Sequence, residues 1–506
     1  MITKVPRLAA GLAEELIRIV GADAVITDPA RLMVYESDGL TAYRCPPRAA
    51  VLPRDGDETA RVVRAIAQAG VPFVARGSGT GLSGGALAVD GAVVVCTARM
   101  NRILELDLHN RRARVQPGVV NAHLTAATRP HGLYYAPDPS SQSACTIGGN
   151  VAENSGGPHC LKYGVTSRYI RGLDVVLPDG SRVYLGDRGF DTGELDLAGL
   201  FVGSEGCFGI AVEVDVELLP LPQATHTLLG IFERLEDAGR AVTAIIAHGL
   251  LPAALEIIDQ ATIRAVEESI FAAGYPTDAA AALVVEFDGI EAGLEAEAAH
   301  AEAACLECGA REVRRATSAE ARAALWKGRK KAFGAMGRIA PDLLVQDATV
   351  PRTQLPDVLA KIAGIGERYD LRVANVFHAG DGNLHPNILF DRRDETEMER
   401  VERASKEIMR ICVEAGGTIT GEHGVGLDKR DYMALIHSED TLRAMESVRR
   451  VFDPRGVCNP GKVLPEWIRG ADPAIAGAPG AGPADAGQAE VGTDGTRKAV
   501  PAGATA

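Results

Sequence analysis

The sequence Arg76–Ala86, RGSGTGLSGGA, decides the fold of the first half of the chain. It follows an apolar run, Val71–Ala75, that is typical of a buried strand. Residues Gly79–Gly84 fit the GxGxxG pattern of dinucleotide-binding βαβ units, but such a unit needs a long helix directly after the loop. The next apolar run, Ala92–Thr97, begins too soon for that helix. The pattern therefore argues against a Rossmann fold and leaves backbone N–H groups that can cradle a pyrophosphate.

Two further glycine-rich loops follow, Tyr135–Gly157 and Gly203–Gly206. Tight turns alone are one explanation, because glycine is the residue that turns use most readily. An extended, phosphate-containing cofactor that lies against all three loops explains them better, since each loop then gives its backbone a close approach to the ligand. Ser78, Thr80 and Ser83 add hydroxyl donors to the first loop.

A second group of candidate functional residues lies nearer the C-terminus. In Val376–Phe390, VFHAGDGNLHPNILF, the residues His378 and His385 flank a glycine-rich break, and Glu422 and His423 follow about forty residues later. Apolar runs on both sides of the break predict two adjacent strands with both imidazoles aimed into one pocket. Two imidazoles and one carboxylate are typical of an open catalytic metal site, and the remaining histidine is then available as a base. Ordinary buried polar side chains are the alternative.

The bulk composition is that of an ordinary soluble globular protein. The chain has 506 residues, 46% apolar and 24% charged, with a net charge of −14, which argues against nucleic acid as the main partner. Nine scattered cysteines favour a reducing cytoplasm over a disulfide framework, and the Cys305/Cys308 pair is expected on a helix face. No segment reaches the length of a membrane span.

The pattern of runs predicts an α+β protein with two domains and a tail. The first domain is expected at 1–222, and an α/β cap domain at 223–466, of which 451–466 return to the first domain. The tail, 467–506, is rich in Ala, Gly and Pro and is expected to be disordered. The predicted elements include a helix at Glu58–Gln68 and strands at Ala49–Leu52, Pro72–Ala75, Ala92–Thr97, Arg112–Val115, Leu173–Leu177, Ala211–Leu219, Thr227–Phe232 and Ala282–Phe287.

Together these motifs resemble the FAD-linked oxidases that carry the vanillyl-alcohol-oxidase (PCMH) type of FAD-binding domain. The resemblance spans about residues 20–466 and lies in RGSGTGLSGGA, PDPSSQSACTIGGNVAENSGG, GSEGCFGI, HAGDGNLHP, GEHGVG and NPGK. Within the family, DGLTAYR, LYYAPDPSSQ and HCLKYG are most similar to the flavin subunits of glycolate oxidases. The resemblance implies a two-subdomain FAD-binding domain followed by a cap domain that binds substrate.

The resemblance also implies that FAD is held without a covalent bond, because Thr80 and Gly81 stand where linking relatives usually carry a histidine. The residues expected to contact FAD are Arg76, Gly77, Ser78, Gly79, Thr80, Gly81, Ser83, Gly84, Pro137, Asp138, Ser141, Thr146, Gly149, Asn150, Asn154, Gly156, Tyr163, Glu205, Gly206, Ile210 and Asn459.

The implied activity is oxidation of glycolate, with D-lactate or another D-2-hydroxy acid as the alternative and a non-catalytic electron-relay subunit as a third reading. His378, His385 and Glu422 would hold a divalent ion of zinc, manganese or iron. His423 would be the base, although Glu422 and His423 can exchange roles. Arg329 would bind the substrate carboxylate, and Asn387 is a further substrate contact.

The hydroxyglutarate enzymes of the family carry a lysine where this chain has Val345, which favours a small monocarboxylate substrate. The implied partners are an iron–sulfur subunit and a second FAD-domain subunit. The expected location is the cytoplasm, at the inner face of the cytoplasmic membrane and in contact with it only through those partners.

Overall fold

The first subdomain is a small sheet covered by helices. The structure is a computed structural model that describes residues 7–40, 42–186 and 195–469. The elements here are α1 (Ala10–Val20), β1 (Val25–Ile26), α2 (Pro29–Leu32), β2 (Ala49–Val51), α3 (Gly56–Gln68), β3 (Phe73–Arg76) and β4 (Val93–Cys96). The strand order is β1-β2-β4-β3, and β4 runs parallel to both of its neighbours. The glycine loop begins where β3 ends.

The second subdomain is an antiparallel sheet in the order β5-β6-β10-β8-β9. Its short helix α5 begins after Thr146, whose hydroxyl accepts a hydrogen bond from the N–H of Gly149 and so caps the helix. The elements are β5 (Ile103–Asp107), β6 (Arg112–Val115), α4 (Asn121–Thr128), β7 (Leu133–Tyr134), α5 (Ile147–Glu153), α6 (Cys160–Tyr163), β8 (Ile170–Val176), β9 (Arg182–Gly186), α7 (Leu197–Phe201), β10 (Ile210–Glu217) and β11 (Leu219–Pro220).

The cap is a larger sheet whose described strand pairs are antiparallel. The main path is β15-β12-β14-β13-β18-β19-β17, and β20 joins β16 to β18. The elements are β12 (Ala224–Phe232), α8 (Leu235–Ala247), β13 (Ala254–Asp259), α9 (Gln260–Glu267), β14 (Ala281–Gly289), α10 (Glu291–Glu307), β15 (Ala310–Arg315), α11 (Ala319–Lys330), α12 (Ala332–Met336), β16 (Asp342–Val345), β17 (Ala348–Thr349), α13 (Leu355–Tyr369), β18 (Arg372–His378), β19 (Asn383–Leu384), β20 (Pro386–Phe390), α14 (Glu395–Glu414), α15 (Met433–Ile436), α16 (Glu439–Phe452) and α17 (Glu466–Arg469).

Helices cover both faces of the cap sheet, and this explains the apolar character of its strands. Leu255 and Ile257 of β13 pack on the face covered by α8, α10, α13 and α14. Ile258 packs on the opposite face, which α9, α11 and α12 cover. Side chains alternate along a strand, so Glu256 belongs to the second face, beneath α11. This alternation brings a buried carboxylate to the helix that carries Arg329.

The chain returns to the first subdomain after the cap. Phe73 donates its N–H to the carbonyl of Val457 and accepts the N–H of Asn459, so this segment extends the edge of the first sheet. The side-chain amide of Asn459 donates to the carbonyls of Gly85 and Glu205. The segment around Asn459 therefore holds two of the glycine loops in place.

Each of the predicted strands, and the helix predicted at Glu58–Gln68, has a counterpart within three residues of its expected bounds. Cys305 is buried on α10, where burial raises the pKa of its thiol to about 12. No helix among residues 7–40, 42–186 and 195–469 is long and apolar enough to cross a membrane. The tail predicted from residue 467 lies almost wholly outside the described residues.

Candidate functional site

The two histidines of the glycine-rich break converge on one carboxylate. β18 ends at His378, which pairs with Asn383 of β19, and the tight reversal between them returns the chain to His385. Nε2 of His378 and Nε2 of His385 lie 3.1 Å and 3.2 Å from the same oxygen, Oε1 of Glu422. The side chains of His378 and His385 are buried, and that of Glu422 is 14% exposed. The structure thus brings together the three residues that the sequence predicts as metal ligands.

The other nitrogen of each imidazole already has an acceptor. Nδ1 of His378 lies 2.6 Å from Oε1 of Glu256, and Nδ1 of His385 lies 3.1 Å from the carbonyl oxygen of Gln346. Carboxylates and backbone carbonyls in these positions fix the tautomer that leaves the Nε2 lone pair for a metal. Ligand atoms about 3 Å apart also match the spacing of donors that each lie about 2.1 Å from one ion. The donor set therefore fits a divalent metal.

The imidazoles and carboxylates of this cluster shift one another's pKa. Burial alone would lower the pKa of His378, but Glu256 and Glu422 raise it well above its usual value. Burial would likewise raise the pKa of Glu422, but His378 and His385 hold it well below its usual value. Glu256 and Glu422 therefore favour a positive charge at His378, either a proton or a bound metal ion.

Asp347 holds the peptide that carries Glu422 and His423. Its carboxylate accepts the N–H of both residues, the hydroxyl of Thr420 at 2.6 Å and the ammonium of Lys429 at 2.9 Å. Burial opposes ionisation of Asp347, but Lys429 keeps its pKa below the usual value. This fixed peptide directs the Glu422 side chain to His378 and His385.

His423 stacks on His385, with ring centroids 4.9 Å apart and planes 7° apart. Its Nδ1 is buried 3.9 Å from Oδ2 of Asp347, so Nε2 is the nitrogen available to a ligand. Burial lowers the pKa of His423 to about 4, against the opposing effect of Asp347. Burial therefore favours the neutral ring.

Asp347, His385 and His423 form a second group with metal-ligand spacing. The oxygens of Asp347 already accept four donors, one of which is the Lys429 ammonium. A carboxylate that is paired with a lysine in this way is a poor ligand. The group of His378, His385 and Glu422 is therefore the better metal site.

Arg329 reaches the same site from α11 and is only 1% exposed. Its Nε donates to Oε2 of Glu256 at 2.5 Å, and its Nη2 lies 3.4 Å from Nδ1 of His378. Its Nη1 has no hydrogen-bond partner among the described residues. The guanidinium thus keeps its terminal edge for a ligand, as the predicted carboxylate contact requires.

One cavity of about 540 Å³ joins the glycine loops to the histidine cluster. A Cβ atom on Gly81 would meet only Oε1 of Glu153, at 3.9 Å, so the backbone of the first loop is open to the cavity. This open backbone fits a cofactor pyrophosphate. The predicted residues that line the cavity are Arg76, Gly77, Ser78, Gly79, Thr80, Gly81, Ser141, Thr146, Gly149, Asn150, Gly156, Glu205, Gly206, Ile210, Arg329, His378, His385, Glu422 and His423.

Eight predicted contact residues lie away from the cavity lining. Asn387 is fully buried, and its amide donates to the carbonyls of Ala374 and His385. Tyr163 donates its hydroxyl to Asp288 in the cap. The remaining residues support loops from behind or beside them, and they are Ser83, Gly84, Pro137, Asp138, Asn154 and Asn459. Their positions favour support of the site over direct contact with a ligand.

The sequence reasoning missed several residues of the site. Glu256 lies in an apolar strand more than a hundred residues before its partner His378, and Lys429 looks like any surface lysine in sequence. Glu153 lines the cavity and adjoins Asn154, but it was not singled out. Burial raises the pKa of Glu153 well above its usual value, and the neighbouring Glu205 adds to this effect. Only the glycine-rich setting of Glu153 was a usable signal.

Two protein families match this chain. The family described as FAD linked oxidases, C-terminal domain, matches residues 221–463, and the FAD binding domain family matches residues 47–186. The chain belongs to the FAD-linked oxidase family.

Among curated relatives, glycolate oxidase subunit GlcD of Escherichia coli (strain K12) is 46% identical over 90% of this chain and 91% of its own length. GlcD of Bacillus subtilis (strain 168) is 41% identical over 90% and 97%. The D-lactate dehydrogenase of Anaerostipes hadrus is 34% identical over 85% and 92%.

The fold is that of the vanillyl-alcohol-oxidase type. A structure of p-cresol methylhydroxylase with substrate bound has a TM-score of 0.77 with this chain at 16% identity. The similarity covers 90% of this chain and 98% of that one. At this identity the comparison supports the two-domain α+β fold alone.

Proposed function

We propose that the protein is the FAD-carrying subunit of a glycolate oxidase and oxidises glycolate to glyoxylate. The observation that carries this proposal is one cavity lined both by the glycine loops and by Arg329, His378, His385 and Glu422 with His423. The relatives named glycolate oxidase subunit support the choice of substrate.

The site has separate protein groups for the carboxylate and for the hydroxyl group of a 2-hydroxy acid. The terminal edge of the Arg329 guanidinium suits the carboxylate, because two parallel N–H groups match its two oxygens. Nε2 of His423 would accept the hydroxyl proton, since this ring is neutral and lines the cavity. His378, His385 and Glu422 would hold the metal. When bound, FAD supplies the hydride acceptor, and a divalent ion supplies charge that favours loss of the hydroxyl proton.

The wall beside Arg329 favours a small substrate. Phe333, Leu343 and Val345 line the cavity with apolar side chains. A second substrate carboxylate would lose hydration against these three side chains. D-lactate adds only a methyl group, so a D-lactate dehydrogenase is the second candidate, in keeping with the relative from Anaerostipes hadrus.

Electrons must leave the flavin for another carrier. The relatives are named as subunits, which supports a complex with further chains. We expect these to be an iron–sulfur subunit and a second FAD-domain subunit, in the cytoplasm and at the inner face of the membrane through those partners.

Anaerobic reduction of the bound flavin by a panel of 2-hydroxy acids tests the function. Glycolate should bleach the flavin with the highest kcat/KM, and D-lactate should be slower. A preference for D-lactate would favour the second candidate, and bleaching by none of the acids would favour an electron-relay subunit. Acid precipitation should release the yellow colour into the supernatant, because Thr80 offers no covalent link.

A further inference from the structure

Glu256 lies between the two halves of the proposed substrate site. Its Oε1 is 2.6 Å from Nδ1 of His378, and its Oε2 is 2.5 Å from Nε of Arg329. Glu256, His378 and Arg329 are 0%, 3% and 1% exposed, respectively. One buried carboxylate therefore contacts both a proposed metal ligand and the proposed carboxylate-binding arginine.

Each of the two contacts fixes an orientation. The bond from Nδ1–H of His378 to Glu256 leaves the lone pair on Nε2, where the metal would bind. The bond from Nε of Arg329 leaves the edge formed by Nη1 and Nη2 for a substrate carboxylate. Nη2 gains little from Nδ1 of His378 at 3.4 Å, because that nitrogen already donates its proton to Glu256.

Strand pairing sets the register of this arrangement. Glu256 of β13 is directly opposite His378 of β18, and α11 covers the same face of the sheet with Arg329. Cross-strand neighbours have Cβ atoms about 5 Å apart, so the strand register keeps the Glu256 and His378 side chains next to each other. The position of the arginine is thus tied to the position of the histidine.

We propose that Glu256 is a positioning residue that sets the distance between the metal and the cation that binds the substrate carboxylate. This inference rests on the proposed function. A 2-hydroxy acid has a fixed, short separation between its hydroxyl and carboxylate groups, so a site in which one side chain links both binding groups is matched to that separation. Longer hydroxy acids, with the hydroxyl farther from the carboxylate, are disfavoured by the same link.

Glu256→Gln separates this role from a general structural role. A glutamine side chain has one acceptor and one donor, so its NH2 group must face either His378 Nδ1–H or Arg329 Nε–H, and one hydrogen bond is lost. Glu256→Asp keeps the charge, but its chain is one methylene too short to reach both partners. The matched control is Asp259→Asn, because Asp259 is another buried carboxylate of β13 that bonds across to β18, at Asn375.

The experiment measures metal affinity by titration of metal-free protein, FAD content, and KM and kcat for glycolate at saturating metal. In Glu256→Gln we expect metal affinity to fall by about 10–100-fold. We also expect KM to remain raised by about tenfold at saturating metal, because Arg329 is misplaced, with FAD content unchanged. Glu256→Asp should show a smaller change in the same direction, and Asp259→Asn should change neither quantity.

His378→Ala distinguishes the two levels of the argument. If it keeps its metal, the proposed metal site is wrong, whatever Glu256 does. If it loses metal while Glu256→Gln keeps wild-type metal affinity and KM, the positioning role alone is overturned. A Glu256→Gln variant whose KM recovers fully at saturating metal would also overturn it, since Glu256 would then act on the metal ligand only. If that variant does not fold, the same comparison is made with Glu256→Asp.

Discussion

At the scale of single residues, the guanidinium of Arg329 offers the sharpest test of substrate binding. Lysine in its place keeps a positive charge but loses the pair of parallel N–H groups. Arg329→Lys should therefore raise KM for glycolate by tenfold or more, equivalent to about 1.4 kcal/mol, with FAD content unchanged. The control is Arg322→Lys on the same helix, whose partner is Glu286. A KM within twofold of wild type would exclude Arg329 as the carboxylate contact.

The metal ligands and the base should be separable by substitution. His378→Ala should lose both the bound metal and substrate oxidation. His423→Asn should keep metal and FAD but slow flavin reduction by about 10²–10⁴-fold, the usual contribution of a general base. Metal analysis and single-turnover reduction measure the two effects. A His423→Asn protein without metal would show that Glu422 and His423 have exchanged roles.

The site residues that the sequence could identify are those that lie close to other polar residues within one short motif. His378, His385 and Glu422 lie in glycine-rich loops, where polar side chains gather at the ends of strands. Glu256 could not be identified, because its partners are 73 and 122 residues away and its strand is otherwise apolar. Asn387 and Tyr163 were predicted from resemblance, which does not separate a ligand contact from the support behind it.

At the scale of elements, the first glycine loop depends on its packing against α5. A Cβ atom on Gly77 would lie 2.3 Å from Oγ1 of Thr146, the residue that caps this helix. Gly77→Ala should therefore displace the loop or the cap and lower FAD occupancy, as measured by absorbance after gel filtration. Gly11→Ala is the control, since its Cβ would meet nothing within 4 Å and alanine favours the helix α1. Full FAD occupancy in Gly77→Ala would contradict the close packing.

The docking of α6 on the cap should depend on pH. His159 lies between Asp138 and Glu286, at 2.8 Å and 3.3 Å. Burial opposes protonation of His159, but Asp138 and Glu286 raise its pKa to about 10.

A raised pKa in the folded state adds stability that is fully present below the unfolded value of about 6.5 and is lost as pH rises through about 10. The thermal unfolding temperature of the wild type should therefore fall more steeply from pH 7 to 10 than that of His159→Gln. Lys330, 3.7 Å from Asp138, and Arg322, bonded to Glu286, also face this cluster. Parallel pH profiles for the two proteins would contradict this role of His159.

Strands were easier to predict than their pairing. Apolar runs such as Ala282–Phe287 mark strands because both faces of the cap sheet are covered by helices. The order of strands in the sheet depends on contacts between distant segments, such as β13 with β18, and short-range patterns carry no information about these contacts.

At the scale of the whole molecule, the segment after the cap should be essential, whereas the tail should be dispensable. A chain that ends at residue 469 keeps the bonds of Asn459 to Gly85 and Glu205 and should bind FAD as the full chain does. A chain that ends at residue 456 loses those bonds and the strand beside Phe73, and should lose FAD. FAD content and thermal unfolding measure both outcomes. Loss of FAD from the longer chain would show that the tail contributes to the body.

The return of the chain to Phe73 has a consequence for biosynthesis. The ribosome makes the glycine loops first, but the segment that braces them, around Asn459, is made after the entire cap. At about 5–20 residues per second, the 374 residues from Gly85 to Asn459 take roughly 20–75 seconds to make. A nascent chain therefore carries an unfinished flavin site for that interval, and flavin loading becomes a late event that only a chain translated through Asn459 can complete.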